Sequence, residues 1–147
     1  MKLVQVIRRF DGVALTVAIG ILIMVVFAGP IGRITGAIWP VMGPLTISNV
    51  REAPPFVTRF DGEAIKLRDC IWEESRWYIG ERDGPSVRTI WTFSGPPVVR
   101  EKGGHGWTDM TVLMAARDLM NNSYADAVHD CGWPWLTITK FYDSEVP

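Results

Sequence analysis

Between Asp11 and Arg33 the chain has no charged residue, and an interval of that kind does not belong to a solvated loop. The signatures of familiar enzymes are also missing. There is no nucleophile elbow and no H-E-x-x-H helix. The glycine cluster Gly103-Gly104-His105-Gly106 is not followed by the Lys and Ser/Thr of a phosphate loop, so it reads as a flexible hairpin tip. Close pairs of metal ligands are lacking as well. His105, His129, Asp130, Cys70 and Cys131 do not fall at zinc-site spacing, so no metal and no cofactor is expected. Nor is there a basic stripe, because from Arg51 onward acidic residues outnumber basic ones; nucleic acid is disfavoured as a partner.

The uncharged interval is itself informative. Val13 to Phe27 is almost wholly Val, Ile, Leu, Ala and Met. A helix needs about 20 such residues to cross the hydrocarbon of a bilayer, and residues 12–32 supply them. The helix is expected to stop near Gly29 and Pro30, since proline lacks an N–H and disfavours helical geometry in the residue before it. Lys2, Arg8 and Arg9 precede the span and Arg33 alone follows closely, so the positive-inside rule puts residues 1–11 in the cytoplasm and exports the rest. A cleaved signal peptide is the alternative; its apolar core is usually shorter, and Thr35-Gly36-Ala37 is the nearest approach to a cleavage site. Gly32 and Gly36 have the spacing of a helix-dimerisation motif but lie beyond the apolar core.

Residues 33–55 carry Trp-Pro, Gly-Pro and Pro-Pro dipeptides and read as a connector, with Leu45 to Val50 alternating as a first edge strand. Residues 56–147 break into short β-prone runs separated by turn signals, the pattern of a small antiparallel sandwich. Asp61-Gly62 leads into an expected strand over Glu63 to Trp72. A turn at Glu73 to Ser75 precedes Trp77 to Glu81, and Asp83-Gly84-Pro85 precedes Val87 to Phe93. Val98 to Glu101 reads as a short edge strand or loop arm, and Leu136 to Phe141 as the last strand. Met110 to His129 has both helical and alternating character; it divides into a strand through Met114, a helical corner through Asn122 and a strand from Tyr124 to Cys131.

Cys70 and Cys131 are the only cysteines, and export brings both to a compartment that can be oxidising, so a disulfide is expected. The pair together with Trp72 and Trp77 resembles the immunoglobulin-like plan, in which two facing strands are stapled across the core beside a buried tryptophan. That resemblance covers Glu63 to Phe141. Ile65, Leu67 and Ile71 share one strand face while Cys70 and Trp72 share the other, so a continuous strand there requires a bulge near Asp69 or burial on both faces.

Six tryptophans fall in the exported part, more than a small core needs. Trp77 and Trp91, inside strands, are the expected core members. Trp107, Trp133 and Trp135 are candidates for a binding surface, since aromatic faces anchor interfaces and sugar rings. With lipid met through the helix, these features imply a non-enzymatic envelope protein. Its exported domain is expected to bind a protein partner or envelope component, as an accessory subunit of a membrane complex or as a bacterial or phage envelope factor. Two alternatives are a cell-wall-active enzyme, using carboxylates such as Glu73, Glu74, Asp126 and Asp130, and a lysis protein in which the helix perturbs the membrane.

Overall fold

A computed structural model describes residues 2–93 and 100–145, with side chains from residue 13 onward. One long helix, α1 (Lys2–Ile38), leads into β1 (Thr46–Ala53), β2 (Val57–Lys66), β3 (Ile71–Gly80), β4 (Ser86–Thr89), β5 (Trp91–Thr92) and β6 (Gly103–Val112). A short helix α2 (Ala116–Asn121) follows, then β7 (Ser123–Asp130) and β8 (Thr137–Asp143). The strands form two four-stranded antiparallel sheets, ordered β1-β2-β6-β5 and β4-β3-β7-β8. The expected mainly β sandwich with a helical corner is therefore present. Lettered in chain order, the strands follow the A-B-E-D and C′-C-F-G orders of the immunoglobulin plan.

Alternation sets the inner faces. Along β2, Thr58, Phe60, Gly62, Ala64 and Lys66 point inward while Arg59, Glu63 and Ile65 point out. Their apolar members meet Trp77, Met110, Val112, Met114, Leu119 and Phe141 in one core. Trp77 lies at its centre, fully buried, with Phe60 at 5.5 Å and Tyr142 at 5.4 Å between ring centroids. On the other face of β7, Asp126 is buried and pairs with Arg82 at 2.5 Å. Arg82 also reaches Asp143 at 3.1 Å and lies over the Tyr124 ring at 4.4 Å.

Several local expectations are overturned, each for an identifiable reason. The helix does not stop at Pro30 but runs on to Ile38, through the start of the expected connector. Proline withholds one N–H, and the turns beyond it are held from outside by β8. Gly32 and Gly36 are buried there, so closely packed that a Cβ would lie 2.1 Å from the Leu136 carbonyl oxygen and 1.9 Å from that of Ile138. The small-residue spacing thus serves helix-on-strand packing. Thr35 reinforces it, since its hydroxyl donates to Ile31 O at 2.8 Å and accepts from Trp135 Nε1 at 3.3 Å.

The expected strand over Glu63 to Trp72 is two strands, with a turn at residues 67–70 that contains no glycine or proline to announce it. That turn resolves the face conflict without a bulge near Asp69. Asp61-Gly62 is not a turn but lies within β2 at a register shift, where a Cβ on Gly62 would meet Leu45 at 2.9 Å. Glu73 to Ser75 lies inside β3, with Glu73 exposed and Glu74 paired with Arg76 and Arg88. Val87 to Phe93 divides between two sheets as β4 and β5. Gly103 to Gly106 is strand, not a hairpin tip, so His105 sits within β6. Of the Val98 to Glu101 run, residues 98 and 99 lie outside the described residues, and Arg100 and Glu101 are irregular.

Cys70 and Cys131 are bonded, as expected, with Cα atoms 4.6 Å apart. Their placement differs from an immunoglobulin staple. Cys70 immediately precedes β3 and Cys131 immediately follows β7, next to the Ile71–Asp130 pair, so the bond joins neighbouring strands of one sheet at its end. Val13–Ile38 is long and apolar enough to cross a bilayer, and none of its most apolar stretch is covered by the β domain.

Candidate binding site

The disulfide end of the sandwich contains a cavity of about 150 Å³ between the sheets. Its walls are aromatic. Trp72 and Phe93 meet nearly edge to face with ring centroids 6.3 Å apart, Trp91 and Phe93 stack at 5.7 Å, and Trp107 packs edge-on against Phe141 at 6.1 Å. Hydrogen bonds set the tryptophan orientations: Trp91 Nε1 donates to Ser75 O at 2.6 Å and Trp72 Nε1 to Ser75 Oγ at 3.3 Å. Because β3 supplies Trp72 and Ser75 and β5 supplies Trp91, the two sheets hold the cavity between them.

The polar groups that line it are all basic or neutral: Lys66, Arg100, His105, His129 and Ser75, with no carboxylate among the described residues. Lys66 is buried at the end of β2. Its ammonium donates to Cys70 O at 2.8 Å and to Arg100 O, which uses two of its three N–H donors. Burial depresses its pKa, and Asp69 partly opposes that shift. His129 is buried on β7, and its Nδ1 has no hydrogen-bond partner among the described residues. Its pKa is pushed down to about 4, first by burial and then by the Lys66 charge, against a backbone contact with Ala127. The Arg100 guanidinium lies over the Trp107 ring at 4.8 Å. An apolar, ring-sized chamber with a cationic, donor-rich end suits a compact aromatic or aliphatic group that carries a negative charge.

The three tryptophans proposed from the sequence separate into two places. Trp107 lines the cavity. Trp133 and Trp135 stack on each other at 5.8 Å in the β7–β8 loop, with Trp135 held against α1 and Trp133 exposed. Trp91 lines the cavity as well and is only partly buried, whereas Trp77 is fully core. Sequence reasoning missed Lys66 as a site residue, although its alternation with Thr58, Phe60, Gly62 and Ala64 is the signal that places it on the inner face.

A groove beside the cavity runs past Trp72 and Trp91 to Glu74 and Arg88. Glu74 is its one carboxylate among the described residues. A hydrogen bond from Arg76 holds that carboxyl below its usual pKa, with Arg88 adding to the effect, so it stays ionised. Two converging carboxylates, as a glycan hydrolase would use, are not brought together in either depression among the described residues. No protein-family model, curated protein or solved structure matches the chain.

Proposed function

We propose that the chain is a single-pass membrane protein with its N-terminus in the cytoplasm, and that its β domain is a binding module on the periplasmic or extracellular side. The excess of Lys2, Arg8 and Arg9 ahead of the apolar span supports that orientation, and the Cys70–Cys131 bond fits an oxidising compartment. The observation that carries the binding role is the aromatic cavity lined by Lys66 and Arg100, with no carboxylate among its described lining residues. Its partner is a molecule of the envelope, protein or otherwise, that inserts an apolar group bearing an anion. A volume near 150 Å³ matches cavities that accept one benzene-sized ring.

The test is direct. The full-length chain in detergent micelles is titrated with benzoate and, separately, with benzyl alcohol, while the indole signal of Trp107 and the ring signals of His129 are followed by NMR. Benzoate is expected to shift both residues and benzyl alcohol to do so far more weakly; Lys66→Met removes the difference. If benzoate leaves both residues unmoved, the cavity is not the site.

A further inference from the structure

The joint between α1 and the β domain fixes where the sandwich sits. Residues 13–31 of α1 are the part left largely uncovered by the domain, and at about 1.5 Å each they span about 28 Å. The hydrocarbon of a bilayer is about 30 Å thick, so the membrane uses the whole of that length. Gly32, the next residue, is already buried against Leu136. No spacer separates the bilayer from the domain.

The direction of packing then identifies the end of the sandwich that faces the lipid. Gly32 meets Leu136 and Gly36 meets Ile138, so β8 runs beside α1 in the same sense, away from the membrane. The start of β8 is the near end. His129 pairs with Thr137, and Ile71 with Asp130, which brings the start of β3 to the same level. Leu67 N–H donates to Val41 O at 2.8 Å and Arg68 Nη1 to Trp39 O at 3.0 Å, which ties the β2–β3 turn to the exit of α1, about 10 Å beyond Gly32 along the helix.

This end carries a group of exposed large apolar side chains: Leu67, Ile71, Trp72, Trp133 and Leu136. Trp133 is 48% exposed. Arg33 and Arg68 accompany them, while Asp69 is paired with Lys102 at 3.4 Å. Tryptophan with flanking arginine is the composition that settles at the membrane–water boundary, where the ring lies among headgroups and the cation meets phosphate.

We propose that the disulfide-bearing end of the sandwich rests on the surface of the bilayer that α1 crosses, with Trp133 and Leu136 of the β7–β8 loop at headgroup depth. This rests on the spanning reading given above. It also brings the cavity, which lies at the same end of the sandwich, close to the lipid surface.

The experiment uses the full-length chain in phosphatidylcholine–phosphatidylglycerol vesicles, with a fluorescent amino acid placed in turn at positions 20, 83 and 133. Position 83 is in the exposed β3–β4 turn at the far end, and position 20 is midway along the apolar helix. Nitroxide carried on the lipid headgroup is expected to remove most of the emission at 133 and little at 83. Nitroxide on the mid-chain carbons should quench position 20. If 20 is quenched and 133 behaves like 83, the surface proposal is wrong while the span stands. If 20 is not quenched, the span fails and the proposal with it. Shielding of 133 from headgroup nitroxide by a second copy of the chain, detected by crosslinking, would also overturn it.

Discussion

Replacing Gly36 with alanine tests the joint between α1 and the β domain. The new methyl would lie 1.9 Å from the carbonyl oxygen of Ile138 and 2.5 Å from its carbon, where ordinary contacts begin near 3.4 Å. The helix must therefore retreat by about 1.5 Å, since the obstacle is strand backbone fixed by the pairing of Ile138 with Val128. A retreat of that size breaks the 3.3 Å bond from Trp135 to Thr35 and opens the seam around Gly32. Overpacking of this kind costs about 1–3 kcal/mol. In a domain of this size each kcal/mol lowers the melting temperature by about 4–8 °C. Gly20→Ala is the matched control, because nothing lies within 4 Å of a Cβ there. Near-UV circular dichroism of the full-length chain in micelles should show a lower melting temperature for Gly36→Ala and none of that loss for Gly20→Ala. Adding Gly32→Ala to Gly36→Ala should cost little more, because a single undocking event serves both. If Gly36→Ala melts with the wild type, α1 does not lie on β8 and the reasoning is wrong.

Three further outcomes are expected. Changing both cysteines to serine removes a closed loop whose ends are 61 positions apart, which should cost roughly 4 kcal/mol in denaturant unfolding; an unchanged midpoint would contradict this. Arg82→Ala leaves the buried Asp126 carboxylate unpaired and should cost about 3–5 kcal/mol by the same measurement, with Arg82→Lys recovering part because lysine cannot fork between Asp126 and Asp143. His129 holds its proton less tightly in the native state, at a pKa of about 4 against an ordinary 6.5, so between those values the unfolded chain binds the proton and the native one does not. Stability should therefore fall by up to about 3 kcal/mol as pH drops from 6.5 toward 4, and His129→Phe should flatten that slope in chemical unfolding. A wild-type slope that survives the substitution would assign it to another group.

Much of the architecture could be read in advance because its signals are local. The alternation of Leu45 to Val50 and Leu136 to Phe141, the helical composition between Met114 and Asn122 and the Asp83-Gly84-Pro85 turn each depend on a few neighbouring residues, and each lies in the corresponding element. The misreadings occur where distant parts of the chain decide. Glycine looked like a turn at Gly62 and Gly103 to Gly106, yet Gly62 exists to admit Leu45 and Met110, and Gly103 to Gly106 pair with β2. Proline looked like a helix stop at Pro30, yet packing on β8, some hundred residues later, carries α1 beyond it. The same rule governs the site. Trp107 stands out in the sequence because tryptophan is conspicuous, and it lines the cavity, whereas the place of Lys66 there depends on burial beside Cys70, Arg100 and His129.

The direct seating of α1 on β8 makes the molecule a crank without a universal joint. Two glycines and a threonine lock the helix to a strand, so rotating α1 about its long axis, or tipping it, swings Asp83 at the far tip through an arc set by the length of the sandwich. A neighbour that grips the helix thereby steers everything attached to it, and a load on the outer tip is felt along the helix.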